Sequence, residues 1–302
     1  MRVRNGGLKT EMGKRSVVHF DPLVRVQNDG LFYDNPVGEW TLIKYKLLGS
    51  YCDIFTSGMR KKWDQLIYID LYAGAGFTKI KESSKIYRNA AMIAMSIPHP
   101  FSLYILCDEN EECLNALKER TNRDFPYHNK QFILGDCNKK IEEIKKIIPR
   151  HGLENKVLSF CFVDPFDLNI HFSTISNLAD NRLIDFLILQ ALSMDGNRNE
   201  NNYLMESSRK IEWFLGLINW RERYKIFMQG KSDSFIRYLA EEYGNQMAGI
   251  GYKLEQLNHA VRIPGKNVLL YYLSFYSKHD RGVSFFRQVE KRSQPQLKFD
   301  FE

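Results

Sequence analysis

Five short, strongly apolar runs of strand length lie along the chain, and each is separated from the next by a pattern typical of a helix. Because the runs are strongly apolar rather than regularly alternating, we expect strands that are buried on both faces. Strands and helices that alternate in this way are typical of a parallel sheet covered by helices on both sides. The runs span residues 66–73, 101–108, 130–136, 157–164 and 184–191.

The patterns on either side of these runs complete the predicted architecture. Apolar residues at three- and four-residue steps from Glu39 to Lys62 predict an amphipathic helix that packs on the sheet. A longer helical stretch, roughly 200–260, precedes a final strand pair predicted at 267–277 and about 296–301. We therefore expect an α/β fold with a doubly wound, mostly parallel, seven-stranded Rossmann-like sheet and a helical insert before the last two strands. The predicted boundaries are an N-terminal arm at 1–38, a cofactor-binding core with its leading helix at 39–192, the insert at 193–266 and the final strands at 267–302.

The composition is that of an ordinary globular protein, with 44% hydrophobic and 26% charged residues. The net charge of +7 would suit a polyanionic partner, but Lys and Arg are scattered among Glu on amphipathic helices, which favours solvated helix faces. The five cysteines form no CxxC pair and the seven histidines show no metal-ligand spacing, so we expect no metal site. With no N-terminal apolar signal region and no apolar run of about 18 residues, we expect a cytoplasmic protein without membrane association.

Four consecutive predicted strands end in a carboxylate, namely Asp70, Asp108, Asp136 and Asp164. The carboxyl ends of parallel strands are where ligands of open α/β sheets bind. The first strand is followed by the small-residue turn Ala73–Gly76, whose glycines let the backbone approach a ligand closely. The position three beyond Gly76 is Lys79, so the turn lacks the third glycine of the dinucleotide-binding pattern, and no Walker lysine motif is present.

The order of these acids favours S-adenosylmethionine as the cofactor. An acid at the end of the second strand, Asp108, can accept both ribose hydroxyls, and one after the third, Asp136, can accept the adenine amino group. Either acid on its own could instead cap the helix that follows it. Taken together with the glycine turn, the acids predict a cofactor site whose further members are Asp70, Ala73, Gly74, Gly76 and Asn138.

Four segments resemble the three-Cys-motif partner protein family, namely YIDLYAGAG, GDCN, FVDPF and LYYLSFYSKHDRG, within roughly residues 39–285. The resemblance implies a class I methyltransferase fold of poorly defined activity and a genomic partner with a three-cysteine motif of radical-enzyme type. Position by position, it extends to Asp70, Gly74, Gly76, Gly135, Asp136, Asn138, Asp164, Pro165 and Phe166. The departures from the family pattern are AGAG in place of AGPG, Asp167 in place of glycine, and Tyr87–Ala90 in place of a Gly-Ser-Pro element.

The FVDPF segment also resembles the D/N-P-P-Y/F signature of amino-methyltransferases. In that signature an acidic or amide side chain and a proline carbonyl bind the target nitrogen, and the aromatic ring stacks on the extruded base. The resemblance implies these catalytic parts for Asp164, Pro165 and Phe166, although the second proline is missing here. A rigid turn at the end of the strand is the alternative interpretation.

The sequence leaves three functions open. The first is S-adenosylmethionine-dependent methylation of an amino nitrogen on nucleic acid or a nucleotide-like substrate, with the insert residues Arg221, Arg223 and Lys225 recognising the target. The second is a non-catalytic partner subunit that docks onto a three-cysteine-motif radical-type enzyme. The third is a nuclease that uses the strand-end carboxylates and a metal, although acids on successive strands are better spaced to span a nucleoside.

Overall fold

The elements follow the predicted alternation of strand and helix. The computed structural model describes residues 20–196, 199–230, 234–253, 257–263 and 268–296. The first elements are β1 (Arg25–Val26), α1 (Thr41–Met59), β2 (Gln65–Asp70), β3 (Phe77–Lys79), β4 (Ile86–Arg88), α2 (Ala90–Met95), β5 (Leu103–Asp108), α3 (Glu111–Asp124), β6 (Lys130–Leu134) and α4 (Cys137–Ile147). They are followed by β7 (Val157–Val163), α5 (Phe172–Ala179), β8 (Ile184–Gln190), a π-helical turn (Leu192–Gly196), α6 (Glu200–Leu204), α7 (Lys210–Leu215), α8 (Trp220–Gly230), α9 (Phe235–Gly249), β9 (Leu257–Arg262), β10 (Leu269–Tyr276) and α10 (Asp280–Gln296).

Seven strands form the main sheet, in the order β6-β5-β2-β7-β8-β10-β9. Strands β2, β5, β6, β7 and β8 run parallel, and β10 is antiparallel to both of its neighbours. Counted along the chain within this sheet, the order is 3-2-1-4-5-7-6 with the seventh strand reversed, which is the topology of the class I methyltransferase type. The predicted fold class is confirmed, and all five apolar runs are strands.

Both faces of the sheet are covered because neighbouring strand residues point into two different cores. Ile67 and Ile69 of β2 are buried with residues of α4, α5 and the insert helices α7, α8 and α9. Leu66 and Tyr68 of the same strand are buried with residues of α1, α2 and α10. Strand β8 is buried along its whole length. Apolar area removed from water on both faces stabilises the sheet by about 25 cal/mol per Å².

The two final strands differ in position from the prediction. Strand β10 lies within the predicted range 267–277, but its outer partner is β9, which falls in the range predicted as helical insert. Of the strand predicted at about 296–301, Gln296 is helical, as the last residue of α10, and residues 297–301 lie outside the described residues. Strand β9 lies at the edge of the sheet and has the mixed sequence LNHAVR, so it lacks the apolar run that identified the central strands.

Residues 277–282, the SKHDRG segment, lead into α10. They lie at the end of the sheet where the parallel strands begin, opposite the carboxyl ends of those strands. Asp185, near the amino end of β8, is buried and accepts a hydrogen bond from the Tyr51 hydroxyl at 2.8 Å. Burial raises the pKa of Asp185 to about 6. A Cβ atom at Gly282 would lie 2.3 Å from Ser277 Oγ, so only glycine lets the first turn of α10 approach this closely.

A second sheet, in the order β1-β4-β3, was not predicted. Its strands have two or three residues each, which is too short for a periodic pattern. Residues 1–19 of the predicted N-terminal arm lie outside the described residues. The rest of that range leads into α1, and Val37 forms a parallel bridge with Ile80 after β3.

Candidate functional site

A cavity of about 740 Å³ lies at the carboxyl ends of β2, β5, β6 and β7. The strand order reverses at β2, and such switch points are where open α/β sheets bind their ligands. The volume is in the range of small-molecule sites. Seven predicted site residues line the cavity, namely Gly74, Asp108, Asp136, Asn138, Asp164, Pro165 and Phe166. The other three, Asp70, Ala73 and Gly76, are not part of its lining.

The glycine turn after β2 is braced from two sides. Gly74 and Gly76 have φ values of +60° and +91°, in the left-handed region that favours glycine. On one side, the Gly74 N–H donates to Asp108 Oδ2 at 2.7 Å. On the other, Asn89 Nδ2 donates to the Ala73 carbonyl at 2.7 Å, and the Asn89 N–H donates to the Gly76 carbonyl at 2.8 Å. Asn89 was not predicted as a site residue; its signal is an Asn directly before an apolar helical run, the position of an N-cap.

Asp70 supports this turn from within the core. Its carboxylate is fully buried and accepts hydrogen bonds from the Tyr68 hydroxyl at 2.9 Å and the Tyr72 N–H at 3.2 Å. Burial raises the pKa of Asp70 to about 7, although both hydrogen bonds act to lower it. The geometry gives Asp70 a part in shaping the turn rather than a direct ligand contact.

Asp108 is half-buried at the edge of the cavity and does not cap the helix that follows it. Besides the Gly74 N–H, it accepts the Asn110 N–H at 2.9 Å. The N-cap of α3 is Asn110, whose side chain accepts two N–H groups of the first turn. Burial raises the pKa of Asp108, and the charges of Asp34 and Glu109 act in the same direction. The capping interpretation therefore fails for Asp108, which leaves its carboxylate as a candidate ligand acceptor.

Asp136 and Asn138 do have structural roles. Asp136 caps α4 by accepting the Asn138 N–H at 2.9 Å, although it also lines the cavity. The Asn138 amide donates to the Asn169 carbonyl at 2.9 Å and accepts the His171 N–H at 3.0 Å and the Thr174 hydroxyl at 2.7 Å. The side chain of Asn138 thus ties the start of α4 to the loop between β7 and α5.

Asp164 has a partner that the sequence did not identify. Lys44 of α1 donates to both carboxylate oxygens, at 2.8 Å and 2.6 Å, and the two side chains are only 12% and 16% exposed. The signal in the sequence is a lysine within the apolar stripe of the predicted helix, three residues before Leu47. The ion pair lines the cavity and brings α1 into the candidate site.

The loop between β7 and α5 forms the entrance on the side of the insert. Phe166 is 80% exposed, whereas the preceding Pro165 is buried. Lys210 of α7 donates to Asp167 Oδ2 at 3.1 Å and is also hydrogen-bonded to the Asn169 side chain. The ring of His171 lies 5.1 Å from that of Trp213, also on α7, so the insert borders this loop. Burial lowers the pKa of His171.

Two of the three basic residues predicted to recognise a target belong to the packing of the insert. Arg221 donates to the carbonyls of Tyr203, Leu204 and Ser208, at 3.1 Å, 3.2 Å and 2.6 Å. Arg223 forms a bidentate ion pair with Glu242, whose side chain is 6% exposed. Lys225 is exposed.

Three further observations concern metal, thiol and membrane chemistry. All five cysteines are buried and unpaired. Within the described ranges, no group of three or more His, Cys, Asp or Glu side chains could hold a metal ion. None of the helices that the structure describes is long and apolar enough to cross a membrane.

The strand order is that of the class I methyltransferase fold, and the carboxylate-lined cavity lies at the switch point of the sheet. The sequence matches no family model and no curated protein. Among solved structures the chain is similar to the Legionella pneumophila protein LPL1258, with 10% identity and a TM-score of 0.46 over 85% of this chain and 92% of that one.

Two other similar structures were solved with a cofactor or its product. Trm1 from Pyrococcus horikoshii, in complex with S-adenosyl-L-methionine, has 10% identity and a TM-score of 0.43 over 87% of this chain and 64% of that one. Magnesium protoporphyrin IX methyltransferase from Synechocystis, with bound SAH, has 10% identity and a TM-score of 0.38 over 81% and 90% of the two chains.

Proposed function

We propose that this protein binds S-adenosylmethionine and transfers its methyl group to an amino nitrogen of a nucleic acid or nucleotide-like substrate. The observation that carries the proposal is the place of Asp108, beside the glycine turn and without a helix to cap. Its carboxylate has acceptor sites left for the two hydroxyls of a ribose, because it accepts only two backbone N–H groups in the described structure.

The charges around the cavity fit this cofactor better than one that carries phosphates. Apart from the Lys44–Asp164 pair, the described carboxylate and lysine side chains of the lining are Asp34, Asp108, Glu109, Asp136 and Lys81. An excess of carboxylates attracts a cationic sulfonium and repels a pyrophosphate group. Gly74 lines the cavity with a φ of +60°, and its lack of a side chain suits close approach of a ligand to the backbone.

Asp164 is the residue that we expect to handle the methyl acceptor. When bound, the cofactor supplies an activated methyl group, so the protein's own task is to align the acceptor nitrogen with it. The Asp164 carboxylate can accept a hydrogen bond from an amino group and orient its lone pair, while Lys44 holds the carboxylate in place. The Pro165 carbonyl is a second acceptor, and the exposed ring of Phe166 is available to stack on a base.

Methyl transfer from labelled S-adenosylmethionine tests this function. The wild type and the Asp164→Ala variant would be assayed with DNA, RNA and cell lysate, with and without the co-expressed partner enzyme. We expect turnover to fall at least about a hundredfold in the variant, because alignment of the acceptor is lost. Asp180→Ala is the matched control, since Asp180 is an exposed carboxylate at the other end of the domain. A wild type that binds the cofactor but labels nothing under any condition contradicts the enzymatic function.

A non-catalytic partner subunit is the second candidate, and the surface of the insert favours it. Large apolar side chains are exposed at Met205, Trp213, Ile218, Ile226 and Met228. Contiguous patches of exposed apolar residues are typical of protein interaction sites, and these five residues all belong to the insert, which could form such a patch. On this reading the chain belongs with the three-Cys-motif partner proteins that its motifs resemble, and it would dock onto a radical-type enzyme. Stable co-purification with such an enzyme, without methyl transfer, would favour the subunit over the enzyme.

A further inference from the structure

The segment that precedes α1 forms one side of the candidate cavity. Its residues 34–38 line the cavity together with Gly74 and Asp108 from the strand ends. This segment had no predicted function, and it has little regular structure of its own. The contacts at its two ends explain how it is held there.

Arg120 of α3 anchors the first end. The side chain is fully buried and donates to both carboxylate oxygens of Asp29, at 2.7 Å and 2.9 Å. It also donates to the carbonyls of Leu31 at 3.2 Å and Phe32 at 2.7 Å. Its remaining N–H donates to the Ala75 carbonyl at 2.6 Å, within the glycine turn. All five N–H donors of one guanidinium therefore connect this segment with the turn.

The charges at this anchor make it strong. Burial acts to raise the pKa of Asp29, but hydrogen bonds from Arg120 and Arg123 outweigh it and lower that pKa to about 2. Leu31 and Tyr33 add apolar contacts with a small cluster on the turn and α3, formed by Ala75, Cys113 and Ala116.

The second end is held by backbone hydrogen bonds. The Val37 N–H donates to the Lys79 carbonyl at 2.9 Å, and the Lys81 N–H donates to the Val37 carbonyl at 2.8 Å. Residues 34–36, which line the cavity, connect the two anchors. We call residues 33–38 the strap.

We propose that the strap covers the bound cofactor and that Asp34 is a further carboxylate that contacts it on the side of Asp108. This inference rests on the proposed function, because it takes the ligand to be S-adenosylmethionine or S-adenosylhomocysteine. Asp34 lines the same cavity as Asp108 and Asn110 at the start of α3. Its Oδ1 atom accepts the Asn35 N–H at 2.7 Å, which leaves acceptor sites on the carboxylate. The charge of Asp34 also acts to raise the pKa of Asp108. A second acceptor at this place can share the hydroxyl groups of a ribose with Asp108.

Fixing both ends of the strap favours binding. A segment that is already ordered loses less conformational entropy when a ligand binds against it. Loosening the anchor at Asp29 should therefore lower the affinity for the cofactor, although Asp29 itself is not part of the cavity lining. Asp34→Asn removes the charge of the acceptor, and Asp29→Asn weakens the anchor while leaving Arg120 in place.

Hydrogen exchange and calorimetry with S-adenosylhomocysteine test the inference together. We expect the ligand to slow amide exchange in residues 33–38 of the wild type, and Asp34→Asn to lower its affinity about tenfold, as for one lost hydrogen bond to a charged group. Asp29→Asn should lower the affinity and reduce the protection. Asp124→Asn is the control, because Asp124 pairs with Arg123 and Arg88 but not with Arg120, so the hydrogen bonds of Arg120 to the segment stay in place.

The outcomes separate this inference from the proposed function. If the ligand binds the wild type, but exchange in the strap is unchanged or Asp34→Asn binds as tightly as the wild type, the inference is wrong while the cofactor assignment stands. If the wild type binds neither S-adenosylmethionine nor S-adenosylhomocysteine, the proposed function fails and the strap inference fails with it.

Discussion

The Nζ atom of Lys44 lies 2.8 Å and 2.6 Å from the two carboxylate oxygens of Asp164, although 120 residues separate them in the chain. The contact joins the helix that leads into the fold to the end of β7, the fourth strand of the sheet along the chain. Both side chains are largely buried, so each charge depends on the other for its compensation. This pair gives the site a fixed carboxylate at the cavity wall.

Replacing Lys44 should affect stability and methyl transfer in different ways. Lys44→Met leaves the Asp164 charge without its partner, and we expect a loss of about 1–3 kcal/mol in the free energy of unfolding, reduced from the fully buried case by residual exposure. The double variant Lys44→Met/Asp164→Asn should regain most of that stability, but its methyl transfer should stay low. Urea unfolding and the labelled-methyl assay measure the two effects. If Lys44→Met has the same free energy of unfolding as the double variant, Lys44 does not compensate a buried charge on Asp164.

The main sheet could be predicted because its central strands are buried on both faces. Strand β8 is buried along its whole length and is apolar at five of its seven positions, a pattern that is visible in one sequence. Strand β9 lies at the edge of the sheet and is only partly buried, so its sequence need not be apolar. Strands β1, β3 and β4 have two or three residues each and are too short to show a pattern. Helix α10 was not predicted either, although Val283, Phe286 and Val289 recur at three-residue steps.

The sequence predicted where the site residues lie more readily than what each of them does. The strand-end rule placed Asp108, Asp136 and Asp164 around one cavity. Sequence could not tell that Asp136 caps a helix whereas Asp108 does not, because an Asn two residues later performs that task for α3. Long-range partners such as Lys44 escaped because the pairing depends on how helices pack on the sheet.

Asp108 should contribute directly to cofactor affinity. Asp108→Ala removes the acceptor of the ribose hydroxyls, and we expect affinity for S-adenosylhomocysteine to fall at least about tenfold, or about 1.4 kcal/mol. Glu119→Ala, an exposed acid on the same helix–strand unit, is the control. Calorimetry measures both affinities, and circular dichroism checks that the variants fold. Wild-type affinity in a folded Asp108→Ala protein would refute the assignment.

Asp136 should differ from Asp108 in its effect on stability. Because Asp136 caps α4, Asp136→Ala should lower the free energy of unfolding by about 0.5–2 kcal/mol, in addition to any loss of affinity. Asp136→Ser keeps a capping oxygen and should restore the stability without restoring the charge. Thermal or urea unfolding of the apo-protein distinguishes the two variants. Equal stability of Asp136→Ala and the wild type would contradict the capping role.

The buried carboxyl of Asp70 should make stability depend on pH. Its pKa is raised from 3.8 to about 7 in the folded protein, so the unfolded chain loses this proton first as pH rises. The stability that protonated Asp70 contributes is therefore lost with a slope of about 1.4 kcal/mol per pH unit as pH rises from about 4 to about 7. Asp70→Asn should remove this slope, whereas Asp180→Asn, at an exposed position, should keep it. Parallel pH profiles for wild type and Asp70→Asn would contradict the assignment.

Arg223 should matter for the insert itself rather than for target binding. Arg223→Met leaves Glu242 buried without its partner, and we expect a loss of about 1–2 kcal/mol in the free energy of unfolding. Lys225→Met, two residues along α8 and exposed, should leave stability unchanged. If the insert recognises nucleic acid, Lys225→Met should reduce the slope of log K against log salt concentration by about 1, as for the loss of one phosphate contact. Urea unfolding and binding titrations at several salt concentrations separate these roles.

Calorimetric titration of the wild type with S-adenosylmethionine, S-adenosylhomocysteine, NAD and ATP tests the central claim most directly. The carboxylate-lined cavity and the Asp108 acceptor predict one site per chain that binds the first two ligands. The same carboxylates predict much weaker binding of NAD and ATP, whose phosphates they repel. Binding of NAD or ATP in preference to S-adenosylmethionine, or no binding of S-adenosylmethionine and S-adenosylhomocysteine, would contradict the assignment of this cavity.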